Sequence, residues 1–371
     1  MEERQQVVLV RSARSIKAAD LLPANPGRAS RVHALIDAFQ LSSMLKIVGP
    51  VPLSKAELTE FHSDEYISHL FSSQPDESLS GSDETDRLEE FGLLYDCPLV
   101  DGIEDHVRYV AGGTVTAAMS LVSGETQCAI HWEGGRHHCK RSQASGFCYV
   151  NDIVLGILKL QARFARVLYI DLDLHHGDGV QDAFLYSNKV TTLSIHHFDR
   201  GFYPNTGGSC DEGRGRGAGH SINVPLRRGA TDARFVEVLK RVAGSVAASF
   251  KPGAVVVQCG CDGLAGDPHK ILNLTADAFV ESVRFIMGWN LPVLLLGGGG
   301  YNTPDCARCW TRLTALACGR DISSSEDIPE HEFLSEYAPV FDMSIDRRLV
   351  DDENTAESID DIVQQISALT R

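Results

Sequence analysis

The chain has 371 residues, 43% of them hydrophobic, which is ample for a sizeable core. Its formal net charge of −16 argues against direct nucleic-acid binding, which needs a basic face, and suits a basic partner such as a lysine-rich segment. Ten cysteines lie without disulfide-framework spacing, no signal-like segment precedes them, and no apolar run approaches bilayer length. The expectation is a soluble intracellular protein that binds no membrane.

Residues 5–10 read as a first strand, and 28–39 as a helix with Val32, Leu35, Ile36 and Phe39 on one stripe. A short strand is expected at 46–51 and a helix at 58–71. Residues 72–90, rich in Ser, Asp and Glu, read as a mobile acidic surface loop rather than a linker. Residues 102–123 carry long helical periodicity, with Ala111, Gly112, Gly113, Ala117 and Ala118 permitting close packing. Beyond them, strand-like runs at 127–132, 167–170, 190–195, 221–224, 254–258 and 293–296 alternate with helical runs at 151–164, 233–248, 276–289 and 305–317. The alternation predicts an α/β chain with helices on both faces of one mostly parallel sheet of about eight strands.

The polar clusters fall at the ends of these strands. Leu168-Tyr-Ile-Asp-Leu-Asp-Leu-His-His-Gly-Asp-Gly179 starts as an apolar run and ends in acids and imidazoles. In an extended chain Asp171, Asp173 and His175 point to one side, and Leu172 and Leu174 to the other. Arg136-His137-His138 on a Gly-Gly turn, Gly260-Cys261-Asp262 and Gly297-Gly-Gly-Gly-Tyr301 follow three more strands. Ligands of open α/β sheets collect outside the carboxyl ends of strands, so the four clusters converge on one site.

Asp173, His175 and Asp262 make a three-ligand set with an open position, the pattern of a catalytic zinc; ferrous iron is compatible with the same oxygen-rich donors. A binuclear centre would need further carboxylates where Leu264 and Gly177 stand. His137 and His138 supply proton chemistry, with Asp171 and Asp178 available to orient them. Tyr301 is placed to stabilise an oxyanion. No Lys follows the glycine run in the manner of a Walker motif, and no strand–GxGxxG–helix unit with a ribose acid accompanies it, which argues against a phosphate cradle.

Tyr95-Asp-Cys-Pro98, Gly134-Gly-Arg-His-His-Cys-Lys140, Ala144-Ser-Gly-Phe-Cys-Tyr-Val-Asn-Asp152, Asp171-Leu-Asp-Leu-His-His-Gly-Asp-Gly179, Asp262-Gly-Leu-Ala-Gly-Asp-Pro268 and Gly297-Gly-Gly-Gly-Tyr-Asn302 resemble the zinc-dependent class I histone deacetylases over about residues 28–337. The short segment after the fold is similar to members without a long charged tail. The resemblance implies the arginase/deacetylase fold, a three-layer α/β/α catalytic domain over residues 1–371. It also implies zinc-dependent hydrolysis of N-acetyl-lysine in histones or other proteins, roles in chromatin and transcription, work in nucleus and cytoplasm, and inhibition by hydroxamate-type chelators. No basic run forms a nuclear address.

Carried over residue by residue, the resemblance makes Asp173, His175 and Asp262 the zinc ligands, His138 the general base and acid, and His137 its electrostatic neighbour. Asp178 and Asp171 support the pair, and Tyr301 polarises the acetyl carbonyl. Phe147, Tyr203 and Gly146 line the lysine tunnel, Gly299 and Gly300 border the substrate, and Asp96 and His269 stand at the rim. Arg28 lies at the inner end of an acetate exit path. Potassium is implied at Asp171, Asp173, His175, Ser194 and Ile195, and at a second site of Phe184, Ser187 and Val190. The chain departs from the family's usual residues at Arg136 (Trp), Cys139 (Ala), Tyr203 (Phe), His220 (Tyr), Cys261 (Ala) and His269 (Met or Leu).

Cys306 and Cys309 have redox-motif spacing but sit in a helical run, where packing is the expected role. Cys97 and Cys148, both beside site residues, suggest a reversible disulfide. Longer acyl-lysines, acetylpolyamines and a catalytically dead scaffold are the competing functions.

Overall fold

Strand-forming runs that are apolar on both faces need cover on both faces, and the chain supplies it. A computed structural model describes residues 6–72 and 81–369. Its strands are β1 (Val8–Val10), β2 (Lys46–Val48), β3 (Cys128–His131), β4 (Val167–Asp171), β5 (Val190–His197), β6 (Ser221–Leu226), β7 (Ala254–Gln258) and β8 (Val293–Leu296). They form one open eight-stranded sheet in the order β2-β1-β3-β8-β7-β4-β5-β6. Every pairing is parallel. The helices are α1 (Ala13–Asp20), α2 (Arg28–Ala38), α3 (Lys55–Leu58), α4 (Asp64–Leu70), α5 (Gly81–Glu90), α6 (Ile103–Ser123), α7 (Asp152–Leu160), α8 (Asp178–Phe184), α9 (Asp232–Phe250), α10 (Ala276–Met287), α11 (Thr303–Ala317) and α12 (Ala356–Leu369).

The two faces have separate cores, and the period of two along β4 separates them. Leu168 and Ile170 enter a cluster with α2, α9, α10, α11 and α12, and Leu172 and Leu174 continue that side beyond the strand. Val167 and Tyr169 enter the opposite cluster with α6, α7 and α8. A third cluster gathers α3, α4 and α6 around residues 139–150. The strand order has a functional consequence. From β3 the chain runs to β4, leaving room that β7 and β8 later fill. The four strands expected to end in polar clusters, β3, β8, β7 and β4, are therefore adjacent.

Some expectations need correction. The expected helix over 58–71 is helical only as α4, because α3 ends at Leu58 and His62 is captured in the turn between the two. Its Nε2 accepts from Asn151 N at 3.0 Å and its Nδ1 donates to Arg141 O at 3.2 Å. Ser63 then restarts the chain as the N-cap of α4. Of the expected acidic loop at 72–90, Gly81–Glu90 is helical, and residues 73–80 lie outside the described residues. Helices α1, α8 and α12 were not expected.

Leu172 is fully buried directly below the site. Leu172→Ala is expected to cost about 2–5 kcal/mol in urea unfolding, from lost burial and a residual cavity. A loss below about 1 kcal/mol would show that the floor of the site collapses freely around the gap.

Candidate metal centre and active site

The turn after β3 carries the histidine pair, and Asp152 of α7 shapes it. The Asp152 carboxylate accepts from Gly135 N at 2.9 Å, Arg136 N at 2.8 Å and the Thr114 hydroxyl at 2.5 Å. Gly135 has φ +90° and lies against Gly297 O, where a Cβ would collide. Thr114 also bonds His131 Nδ1 at 2.9 Å, and Glu133 receives His33 Nε2 at 2.6 Å. Of these supporting groups only Asp152, as the end of a motif, stood out from the sequence, and without a role; His33, Thr114, His131 and Glu133 did not. His33 and Thr114 lie well away in the chain from the His131–Glu133 segment they join, and each alone reads as an ordinary polar residue.

Beyond β4, the chain turns so that Asp173 and His175 face Asp262, which follows β7. Single donor atoms of these three side chains lie within 4.8 Å of one another, and all three residues are buried. His175 Nδ1 is 2.9 Å from Asp262 Oδ2 and 3.4 Å from Asp173 Oδ1. The carboxylates are held in turn. Asp173 Oδ2 accepts from Gln258 Nε2 at 2.8 Å and Gly299 N at 2.9 Å, and Asp262 Oδ1 accepts from Leu174 N at 2.8 Å. A Cβ at Gly299 would collide with Asp262 Oδ2, so only glycine lets β8 close over the ligands. Burial disfavours the His175 cation, yet the two carboxylates outweigh it and raise its pKa to about 10. A pocket that stabilises an imidazolium this strongly has the charge to hold a divalent cation, so the donor set fits the expected metal.

The two adjacent histidines sit in opposite environments although their ring centroids are 4.0 Å apart. His137 Nδ1 donates to Asp171 Oδ2 at 2.8 Å; burial opposes its charge, but Asp171 and Asp173 raise its pKa to about 9. His138 Nδ1 donates to Asp178 Oδ1 at 2.7 Å. Burial and the neighbouring His137 charge lower its pKa to about 3 despite that carboxylate. Asp178 is shared, since Lys140 Nζ lies 2.7 Å from its other oxygen. One imidazole is thus charged and the other neutral. Tyr301 is half-buried, and burial with Asp262 and Asp173 keeps its hydroxyl protonated. Asp267 Oδ2 accepts from its backbone N at 2.8 Å.

Aromatic rings frame the approach. Phe147 has φ +62° and meets the Tyr301 ring at 5.8 Å. Tyr203 lies 4.9 Å from the His138 ring, and its hydroxyl shares a 2.5 Å hydrogen bond with Ser145. Phe202, which the sequence did not single out, stacks on His175 at 5.1 Å. Asp96 Oδ2 accepts from Gly146 N at 2.5 Å, tying the rim to the tunnel wall. His269 bonds Asp267 through Nδ1 at 2.8 Å and lies 5.1 Å from both the His175 and Tyr301 rings. Arg28 donates to Gly300 O at 2.8 Å and Gly298 O at 2.9 Å, beneath the glycine run.

The remaining expected residues lie at the periphery. Ser194 pairs with Asp171 across β4 and β5, and its hydroxyl shares a 2.9 Å hydrogen bond with His196. Ile195 follows it. Phe184, Ser187 and Val190 span the α8–β5 connection, where Ser187 N donates to Phe184 O at 2.8 Å. His220 bonds Thr191 beside them at 2.8 Å. Cys139 donates to Gln143 O at 3.3 Å in the core. Cys306 and Cys309 are buried in α11, which bears out packing. The suggested Cys97–Cys148 switch is disfavoured. Burial raises both thiols, Cys148 to about 12 and Cys97 further, and a reactive sulfur must be a thiolate.

The histone deacetylase domain family matches residues 22–317. Histone deacetylase 8 of Xenopus tropicalis is 44% identical over 99% of this chain and 98% of its own length. The Danio rerio protein of that name is 44% identical over 98% and 94%. Histone deacetylase 1 of Homo sapiens is 39% identical over 93% of this chain and 70% of its own length.

Glu133 supplies a pH test of the turn. Burial opposes its charge, yet His33 and His131 lower its pKa to about 2 from an ordinary 4.5. The folded pKa lies below the unfolded one, so the contribution is complete above about pH 4.5 and lost as pH falls towards 2. Glu133→Gln should cost on the order of 3 kcal/mol at pH 7. The gap in urea midpoints should narrow below pH 4.5; a gap independent of pH down to acid unfolding would contradict the assignment.

Proposed function

The chain belongs to the histone deacetylase family and is a lysine deacetylase; on that premise we propose that it hydrolyses N-acetyl-lysine in proteins at the centre just described, histone tails and other lysine-bearing segments being its substrates. The observation that carries the reading is the convergence of the Asp173–His175–Asp262 donors with the His137–Asp171 and His138–Asp178 pairs and with Gly299, which holds Asp173, at the ends of four adjacent strands. The whole chain would act as one catalytic domain.

Asp173, His175 and Asp262 would hold zinc, with ferrous iron suited to the same donors; when bound, the metal polarises the acyl carbonyl and acidifies water. His138, neutral and held through Nδ1 by Asp178, presents Nε2 to take the proton from the attacking water. His137, charged and held by Asp171, offsets the negative charge that builds beside it. The protonated Tyr301 hydroxyl donates to the carbonyl oxygen as that oxygen gains charge. The C–N bond then breaks, the histidine returns the proton to the lysine nitrogen, and the water oxygen leaves in acetate. Phe147, Tyr203 and Gly146 would wall the lysine stem, with Gly299 and Gly300 on the far side and Asp96 and His269 at the rim. Potassium would bind near Asp171, Ser194 and Ile195 and near Phe184, Ser187 and Val190. Action in nucleus and cytoplasm on chromatin, and inhibition by hydroxamates, follow from the same reading.

The purified chain with one equivalent of zinc should deacetylate an acetyl-lysine peptide, with turnover abolished by a chelator. His138→Ala should lower it about 10²–10⁴-fold. Absence of turnover from folded, metal-loaded protein would remove the deacetylase reading in favour of the scaffold; faster turnover of an acetylpolyamine or longer acyl-lysine would move the substrate class. Tyr301→Phe should retain its zinc, measured by metal analysis, while turnover falls about 10²–10³-fold. Near-normal turnover in that variant would remove Tyr301 from the mechanism.

A further inference from the structure

His138 takes its orientation from Asp178, so whatever holds Asp178 decides where the ring points. One oxygen of that carboxylate accepts from His138 Nδ1 at 2.7 Å. The other lies 2.7 Å from Lys140 Nζ, which also reaches Asp182 Oδ2 at 2.5 Å. Asp178 and Asp182 stand four residues apart on α8 and so share one face of it, which the ammonium bridges. The backbone leaves little slack at either end of the bridge. Lys140 N donates to Gln143 O at 2.8 Å. Gly179 lies against the carbonyls of His137 and Cys139, where a Cβ would stand 2.6 and 2.7 Å from the two oxygens. Helix α8 is thereby seated directly on the histidine turn.

The bridge is charged at both ends. Burial works against the Asp178 anion, yet His138 and Lys140 hold its pKa well below the ordinary carboxylate value. Burial also works against the Lys140 cation, and Asp178 and Asp182 outweigh it and raise its pKa. Asp178 is only 7% exposed, so water is a poor substitute for a lost donor there. With its second oxygen released, the carboxylate would turn to recover a partner, and the imidazole bonded to it would turn as well.

We propose that Lys140 is a positioning residue for the hydrolysis: by holding the second oxygen of Asp178 it keeps His138 Nε2 aimed at the attacking water. Lys140 acts through Asp178 on the Nδ1 edge of the ring and does not touch the reacting atoms. Asp182 anchors the ammonium from the surface side. The part played by His138 rests on the deacetylase reading, whereas the bridge itself does not.

Steady-state kinetics of the zinc-loaded chain on an acetyl-lysine peptide separate positioning from packing. Lys140→Met keeps most of the length and removes the charge. It should lower kcat about 10- to 100-fold, the cost of a base held slightly out of line, with KM within about twofold of wild type. Zinc content, measured by metal analysis, should be unchanged. In Lys140→Ala, methylammonium should restore turnover in a saturable way, because its N–H donors replace the missing ones. Tetramethylammonium at equal ionic strength carries the charge without a donor and should not. A kcat within about twofold of wild type in Lys140→Met, a loss confined to KM, or a fall in zinc that accounts for the lost turnover would overturn the proposal. So would a rescue that fails, or one that tetramethylammonium matches. If Lys140→Met does not fold, Lys140→Gln takes its place with the same expected loss. Failure of the deacetylase reading would show separately, as a folded, zinc-loaded wild type without turnover, and would take the positioning role with it.

Discussion

A carboxylate with almost no exposed surface persists in a folded core only when donors replace the water it has lost, and Asp173 is the one around which this molecule closes. Its donors come from different strands. Gln258 ends β7, Gly299 follows β8, and the His175 backbone N, at 3.0 Å, lies on its own segment beyond β4. Burying that charge therefore demands that three neighbouring strands end at the same height. The same three ends deliver Asp262, Tyr301 and His175. The site is a consequence of satisfying one buried anion.

From this follows the division between the two histidines. A single electrostatic field would treat adjacent imidazoles alike. Here His137 faces Asp171 and Asp173, whereas His138 faces the charge on His137 and shares Asp178 with Lys140. The charged neighbour helps keep the second ring neutral, so one residue type at one turn supplies both a cation and a base. Lys140 belongs to this balance because it holds the second oxygen of Asp178 while the first stays on His138.

The sheet was legible because its signal is local. Runs such as Val255-Val-Val257 and Leu294-Leu-Leu296 are apolar on both faces and bounded by glycine or polar residues, and the strands sit where those runs are. The helix expected over 58–71 failed because periodicity says nothing about His62, whose imidazole is claimed by Arg141 and Asn151. The acidic stretch failed in the opposite sense. Its composition suggested a loop, yet Glu, Asp and Arg in 81–90 are compatible with a helix, and Leu88 packs on the third cluster.

By itself the sequence determined which side chains could do chemistry and which strand each would follow, since period, turn residues and the Asp-Leu-Asp-Leu-His alternation are all short-range. Only the tertiary structure decided that β7 and β8 insert between β3 and β4, and hence that Asp262 meets His175 across 87 residues of chain. It also decided protonation, because desolvation and neighbouring charge act through space. For the same reason Arg136 looked like one departure within a motif, and only the fold shows it buried in a cavity shared with Arg28 of α2 and Trp132 beyond β3.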